Sequence, residues 1–185
     1  LIYRYSTKNL IPTLPVIPYT YCLGIVVDHN TEITAFSIAA YSAQSRDAFI
    51  VETRKVDSID LYKTLETTQN LHRDYKFSSI TYVDQSKKLL SEIRSRFSIP
   101  IDAAPEKDKT ALIKGFAAEL NQRNIKVFQE NADLLREWNS IIKDEKFTQG
   151  FREDPRCHNA LATATLYAWY KCYNYNYEQV ETSED

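Results

Sequence analysis

The tetrad Ile80-Thr81-Tyr82-Val83, followed at once by Asp84, constrains this chain more than any other stretch. An apolar β-prone run that ends on an acid reads as a strand that delivers one carboxylate to its carboxyl end. A second such place is the run Tyr21 to Asp28. Two strand-end acids of this kind begin a divalent-cation site, because hard cations take oxygen ligands. The third part of such a site belongs in the late segment Cys157-His158-Asn159-Ala160-Leu161-Ala162-Thr163-Ala164, and that segment holds no carboxylate.

A chain of 185 residues, 43% hydrophobic and 26% charged, has enough apolar material for one α/β domain with a real core. Its three cysteines, Cys22, Cys157 and Cys172, cannot all pair and show no metal-ligand spacing, so a disulfide framework is not expected. No apolar run approaches the roughly 20 residues a membrane span needs, so no membrane partner is expected. Leu1-Ile2-Tyr3-Arg4 is not a signal-peptide start, and the lack of any Met suggests a domain of a longer protein. A formal charge of −2 argues against unspecific coating of nucleic acid. Positive charge does lie in sequence beside both candidate segments: Lys87, Lys88, Arg94 and Arg96 follow Asp84, and Arg152 and Arg156 precede His158. Those side chains read either as a local phosphate-binding face or as ordinary solvated charge.

Residues 1–20 read as a linker or an extended arm laid over the domain, since Pro12, Pro15 and Pro18 oppose a long helix. Three strands follow, at Cys22–Val27, Ile33–Tyr41 and Ala48–Val56, with turn material between them. The period then changes to that of an amphipathic helix over Ser58–Arg73, capped by Ser58 or Asp60. Phe77–Val83 is a fourth strand and Ser86–Phe97 a helix closed by Pro100; Ile101–Ala103 reads as a short strand. A helix from Pro105 to Leu120, a strand at Ile125–Phe128, a helix at Ala132–Ile142 and a last helix at Asn159–Lys171 complete the order. The expected fold is therefore α/β: a three-strand antiparallel meander joined by parallel strands into a mixed sheet flanked by helices. The acidic stretch 178–185 is expected to be a disordered tail, which leaves 21–177 as the domain.

Several segments, taken in order, resemble one known family. They are Ile80-Thr81-Tyr82-Val83-Asp84-Gln85-Ser86, then Lys107-Asp108-Lys109, then Asn124-Ile125-Lys126-Val127-Phe128 leading to Leu134-Leu135-Arg136-Glu137-Trp138, and finally Ala164-Thr165-Leu166-Tyr167-Ala168. From Tyr21 to Tyr173 the chain resembles the nuclease domain of the large terminase subunit of tailed bacteriophages, within the ribonuclease H-like superfamily. The resemblance implies a metal-dependent endonuclease that cuts concatemeric double-stranded DNA by phosphodiester hydrolysis with Mg²⁺ or Mn²⁺. It also implies an ATPase motor domain in the full-length protein, the portal and the small terminase subunit as partners, and a place in the host cell cytoplasm during viral assembly.

Asp84 falls where the resemblance implies the second-strand acid. In the first strand the family pattern of Gly, any residue, Asp becomes Gly24-Ile25-Val26, and the available acid is Asp28. Strand side chains alternate faces, so Val26 and Asp28 point the same way, about 6.6 Å apart along the strand. In the last helix Thr163 stands where the resemblance implies Asp, Ala160 takes the place of another acid, and His158 matches a histidine at the helix start. The implied catalytic set is Asp28, Asp84 and His158, with Asp28, Asp84 and Asp154 as metal ligands and Lys87, Lys88, Arg152 and Arg156 on nucleic acid. Two hard cations about 4 Å apart need several carboxylates, whereas Asp28 and Asp84 suffice for one. His158 as a nitrogen donor favours Mn²⁺ over Mg²⁺.

Each of these residues has a plainer role open to it. Asp28 before His29-Asn30 can form a turn, Asp84 can cap the helix near Ser86, and His158 can hydrogen-bond at a helix start. Asp102, Glu106 and Asp108 fit the acid preference of helix starts, and the aromatic run Trp169 to Tyr177 fits packing better than base stacking. No Gly-rich phosphate loop, nucleophile elbow or zinc-ligand cluster is present. Two functions remain: the endonuclease, or a catalytically weakened or inactive nuclease-like domain that binds DNA or protein.

Overall fold

β2 (Thr20–Asp28) and β3 (Ile33–Tyr41) are apolar along nearly their whole length because both are covered on two faces. They lie at the centre of a seven-stranded sheet of order β1-β7-β4-β3-β2-β5-β6. Its other strands are β1 (Leu10–Ile11), β4 (Ala48–Val56), β5 (Ser79–Val83), β6 (Ile101–Ala103) and β7 (Ile125–Phe128). β2, β3 and β4 form an antiparallel meander; β5 and β6 extend it in parallel beyond β2, and β7 and β1 extend it in parallel beyond β4. The helices are α1 (Leu61–Tyr75), α2 (Lys109–Asn121), α3 (Ala132–Ser140) and α4 (Ala160–Ser183), and β8 (Ile141–Lys143) with β9 (Phe151–Glu153) forms a separate antiparallel ribbon. The expected mixed α/β sheet is the one found. This computed structural model describes residues 1–83, 91–92, 94–95, 101–105, 109–143, 151–153 and 159–183, the side chains of 142–143, 151–153 and 173–183 excepted.

Alternation along β2 divides the core in two. Leu23, Ile25 and Val27 pack with Phe36, Ile38, Leu65, Leu71, Phe77, Ile80 and Tyr82 on the α1 side. Cys22 and Val26 face the other way, into a cluster with Ala35, Phe116, Trp138 and the buried stripe of α4. Helix α1 starts at Asp60, whose carboxylate accepts the Lys63 N–H at 3.0 Å, and stops where Lys76 turns left-handed at φ 54°.

Helix α4 lies unusually close to β2. A side-chain carbon built on Gly24 would overlap the Ala164 carbonyl, and the Ala168 nitrogen is also in reach, so only glycine fits here. The alanines and threonines of 160–168 leave room for this approach, and the Thr165 and Ser37 hydroxyls seal it with a buried hydrogen bond of 2.7 Å. Gly24→Ala is expected to destabilise the protein by about 2–3 kcal/mol, because backbone rather than a flexible side chain must move. Urea denaturation checks this; a loss below about 0.5 kcal/mol would show that α4 adjusts freely.

Two helix ends differ from the expectations. The first 20 residues lie as an extended arm on the domain: Tyr3 is buried against Phe116 and Trp138, β1 pairs with β7, and the Asn9 amide donates to the Leu120 and Ile125 carbonyls at 2.9 Å each. Prolines oppose a long helix there, and extended backbone is what an added edge strand uses. Helix α3 ends at Ser140, and the chain turns directly into β8 instead of staying helical to Ile142. Helix α4 continues to Ser183, past the expected stop at Lys171 and through much of the supposed tail. The Tyr-Asn run is a weak helix former, but no Pro or Gly interrupts it. The expected helix at 86–97 lies mostly outside the described residues, of which 91–92 and 94–95 are helical.

Candidate functional site

β2 and β5 are parallel neighbours with Val26 level with Val83. Asp28, two residues beyond Val26, and Val83, which immediately precedes Asp84, therefore reach the same end of the sheet. Helix α4 runs opposite to β2. Its first turn is held beside the Val26 row, Ala164 and Ala168 pass Gly24, and Cys172 lies in the same buried cluster as Cys22. The start of α4 thus comes to the carboxyl ends of β2 and β5, the meeting that the expected site requires.

The side chains that occupy this meeting point are largely apolar. Val26 is 8% exposed and pairs with Ala35; Ala160 is buried and Thr163 nearly so. Asp28 is partly exposed, and its Oδ1 accepts the Asn30 N–H at 3.0 Å, so the turn-forming role is realised whatever else the carboxylate does.

Beside this row lies an ion pair. Lys55 of β4 pairs with Ala35, which pairs with Val26, so Lys55 projects on the same face of the sheet two strands away. Its Nζ lies 3.3 Å from Oε2 of Glu137, a residue only 2% exposed. Glu137 Oε1 accepts the Ala162 N–H at 3.0 Å, so this side chain from α3 caps the first turn of α4. Burial pushes the Glu137 carboxyl up to about 7, against the lowering effect of the helix N–H groups and of Lys55. Sequence reading quoted Glu137 within a matching segment but gave it no role. The available signal is its spacing: three residues after Leu134 and one before Trp138, it falls on the buried face of α3.

Of the expected site residues, Asp28 is placed at the strand end. Asp84, Asp154, His158, Lys87, Lys88 and Arg156 lie outside the described residues, and Arg152 is described only as backbone in β9. Among the described residues there is no group of three or more His, Cys, Asp or Glu side chains able to hold a metal ion. Among the described residues, Val26, Ala160 and Thr163 at the strand-helix contact offer no carboxylate to a divalent cation. No described helix is long and apolar enough to cross a membrane.

A meander extended by parallel strands on both sides, with a helix laid across its centre, defines the ribonuclease H-like nuclease fold. Solved large terminase structures share it. The large terminase of a thermophilic bacteriophage superposes with a TM-score of 0.74 at 18% identity, over 90% of this chain and 43% of that one. The nuclease domain of the P22 large terminase gives 0.71 at 11% identity, over 91% and 90% of the two chains. The large terminase nuclease domain of bacteriophage SPP1 with bound Mn gives 0.63 at 15% identity, over 88% and 96%. This chain spans under half the length of the first of these proteins. No family description matches the sequence, and neither does any curated protein.

Proposed function

We propose that the chain is a nuclease-fold domain of a viral DNA-packaging terminase that engages double-stranded DNA without a two-cation cutting centre. The observation that carries this reading is the apolar row at the meeting of β2, β5 and α4, where Val26 and Thr163 stand in place of charged oxygen donors. The fold likeness to large terminase nuclease domains supports the packaging role. In this reading Lys87, Lys88, Arg152 and Arg156 supply phosphate contacts, an ATPase motor domain belongs to the full-length protein, and the portal and small terminase subunit are further partners. The domain works in the host cell cytoplasm during viral assembly.

A second reading is favoured by the pairing of β2 with β5, which brings Asp28 and the residue preceding Asp84 to one end of the sheet. Here Asp28 and Asp84, with Asp154 and His158, hold one cation, and the domain is an endonuclease on concatemeric DNA that prefers Mn²⁺ to Mg²⁺. The SPP1 domain with bound Mn supports a divalent metal in this fold.

Plasmid DNA incubated with the purified chain in Mn²⁺, Mg²⁺ or EDTA separates the two. The first reading expects a mobility shift that survives EDTA, weakens steeply with salt, and comes with no nicking. Nicking in Mn²⁺ that Asp84→Asn abolishes would establish the second. Neither a shift nor nicking in any of the three conditions would remove DNA as the ligand and overturn both.

A further inference from the structure

Glu137 is held in the way a bound anion is held. One of its carboxylate oxygens accepts the Ala162 N–H at 3.0 Å in the first turn of α4, and the other lies 3.3 Å from the Lys55 ammonium. A helix start and a basic side chain are what commonly fix a phosphate, and here an acid of the same chain occupies both. The two partners differ in freedom. Glu137 is 2% exposed on the buried face of α3, whereas the Lys55 side chain keeps 26% of its surface in solvent. Their contact is close but bent. Glu137 Oε2 accepts no aligned hydrogen bond, so among the described residues the ammonium N–H groups stay open to a better placed acceptor.

Lys55 also lies at the candidate site. It pairs with Ala35, which pairs with Val26, so it projects on the α4 face near the carboxyl ends of β2 and β5. Two strand spacings put it about 10 Å from Val26, roughly three base-pair steps of a duplex laid across that end of the sheet.

We propose that Lys55 is a phosphate-binding residue held in reserve by Glu137: duplex DNA arriving at the carboxyl ends of β2 and β5 draws the ammonium from the buried carboxylate onto a phosphate oxygen. This rests on the reading of the domain as one that engages double-stranded DNA. The exchange is one of ion-pair partners, with no covalent step. The carboxylate left behind takes up a proton, because burial already raises the Glu137 carboxyl to about 7. DNA binding is thereby coupled to proton uptake, tighter below pH 7 and weaker above it. Lys55 is the one charged side chain set against Glu137 among the described residues. Helix α4 brings the Leu161 and Ala162 N–H groups, and Asp133 and Arg136 of α3 are exposed and pair with each other at 3.0 Å.

The test is fluorescence anisotropy of a labelled DNA duplex titrated with the full chain in EDTA, over a range of salt at pH 6 and pH 8. Lys55→Met is compared with the native chain at pH 6, where the neutral carboxyl spares the fold, and circular dichroism checks each variant. Its plot of log K against log salt is expected to be shallower by about 0.9, the loss of one phosphate contact, while Lys55→Arg keeps the native slope. Glu137→Gln, whose amide never holds the ammonium, is expected to bind about three- to tenfold tighter than the native chain at pH 8 and equally at pH 6. An unchanged salt slope in Lys55→Met, or native affinity of Glu137→Gln at pH 8, would overturn the proposal and leave the DNA-binding reading standing. Absence of binding by the native chain at both pH values would remove that reading and this proposal with it.

Discussion

Lys55→Met is expected to cost the protein about 1–1.5 kcal/mol more at pH 8 than at pH 5. Removing the ammonium leaves a carboxylate that is 2% exposed with only helix N–H groups to hold its charge. The sign follows from Glu137. Its folded carboxyl, raised to about 7 from the ordinary 4.5, binds more protons than the unfolded one between those values. Wild-type stability from this group therefore falls as pH rises through that window, by about 3 kcal/mol in all, and levels off above it. Lys55 acts against that rise, so its loss moves the folded carboxyl higher still and extends the decline towards alkaline pH. At pH 5 the carboxyl is protonated in the native state with or without Lys55, and only the packing of the lysine stem is lost. Glu137→Gln should flatten the profile between pH 5 and 7, since the amide oxygen still accepts the Ala162 N–H and no charge is buried. Urea denaturation at several pH values measures all three proteins. An equal loss for Lys55→Met at pH 5 and pH 8 would assign its role to packing rather than charge.

This pair also explains why the fold was easier to read from sequence than the site. The strands Ile33–Tyr41, Ala48–Val56 and Ile125–Phe128 announce themselves locally, through runs of β-branched and aromatic residues bounded by turn chemistry. Gly24 does so only in part: a lone glycine in a strand signals close approach, but not that α4 is what approaches. Lys55 and Glu137 are 82 positions apart in the chain, and nothing near either names the other. The substitution of Val26 and Thr163 for acids was visible in sequence. Their burial at one row beside Ala35 and Ala160 needed the packing of α4.

Placing acids at Val26 and Thr163 should create a cation-dependent stability that the native chain lacks. Val26→Asp with Thr163→Asp places two carboxylates in positions 8% and 9% exposed. Without a cation they repel each other and lose their water, so the double variant is expected to be several kcal/mol less stable than the native protein at pH 8. Lys55 relieves little of this, because its strand lies two sheet spacings from Val26, about 10 Å away. Divalent cation then becomes a ligand of the folded state alone. At about 100 times its dissociation constant, Mn²⁺ should return roughly 2.7 kcal/mol, read as a rise in Tm that the native chain lacks. Adding Ala160→Asp should strengthen binding again, since each carboxylate contributes a hard oxygen and a compensating charge. The matching asparagine variant, with the same volume and no charge, separates cation binding from mere polarity and should not respond. Thermal melts with and without Mn²⁺, supported by calorimetric titration, give the answer. An equal Mn²⁺ response in the native chain would show that Asp28 and Asp84 already hold the cation, and the reading of the domain as an endonuclease would then take precedence. No response in the double variant would mean that the row at Val26 does not converge on a cation pocket, and that α4 has moved from the position such a pocket requires.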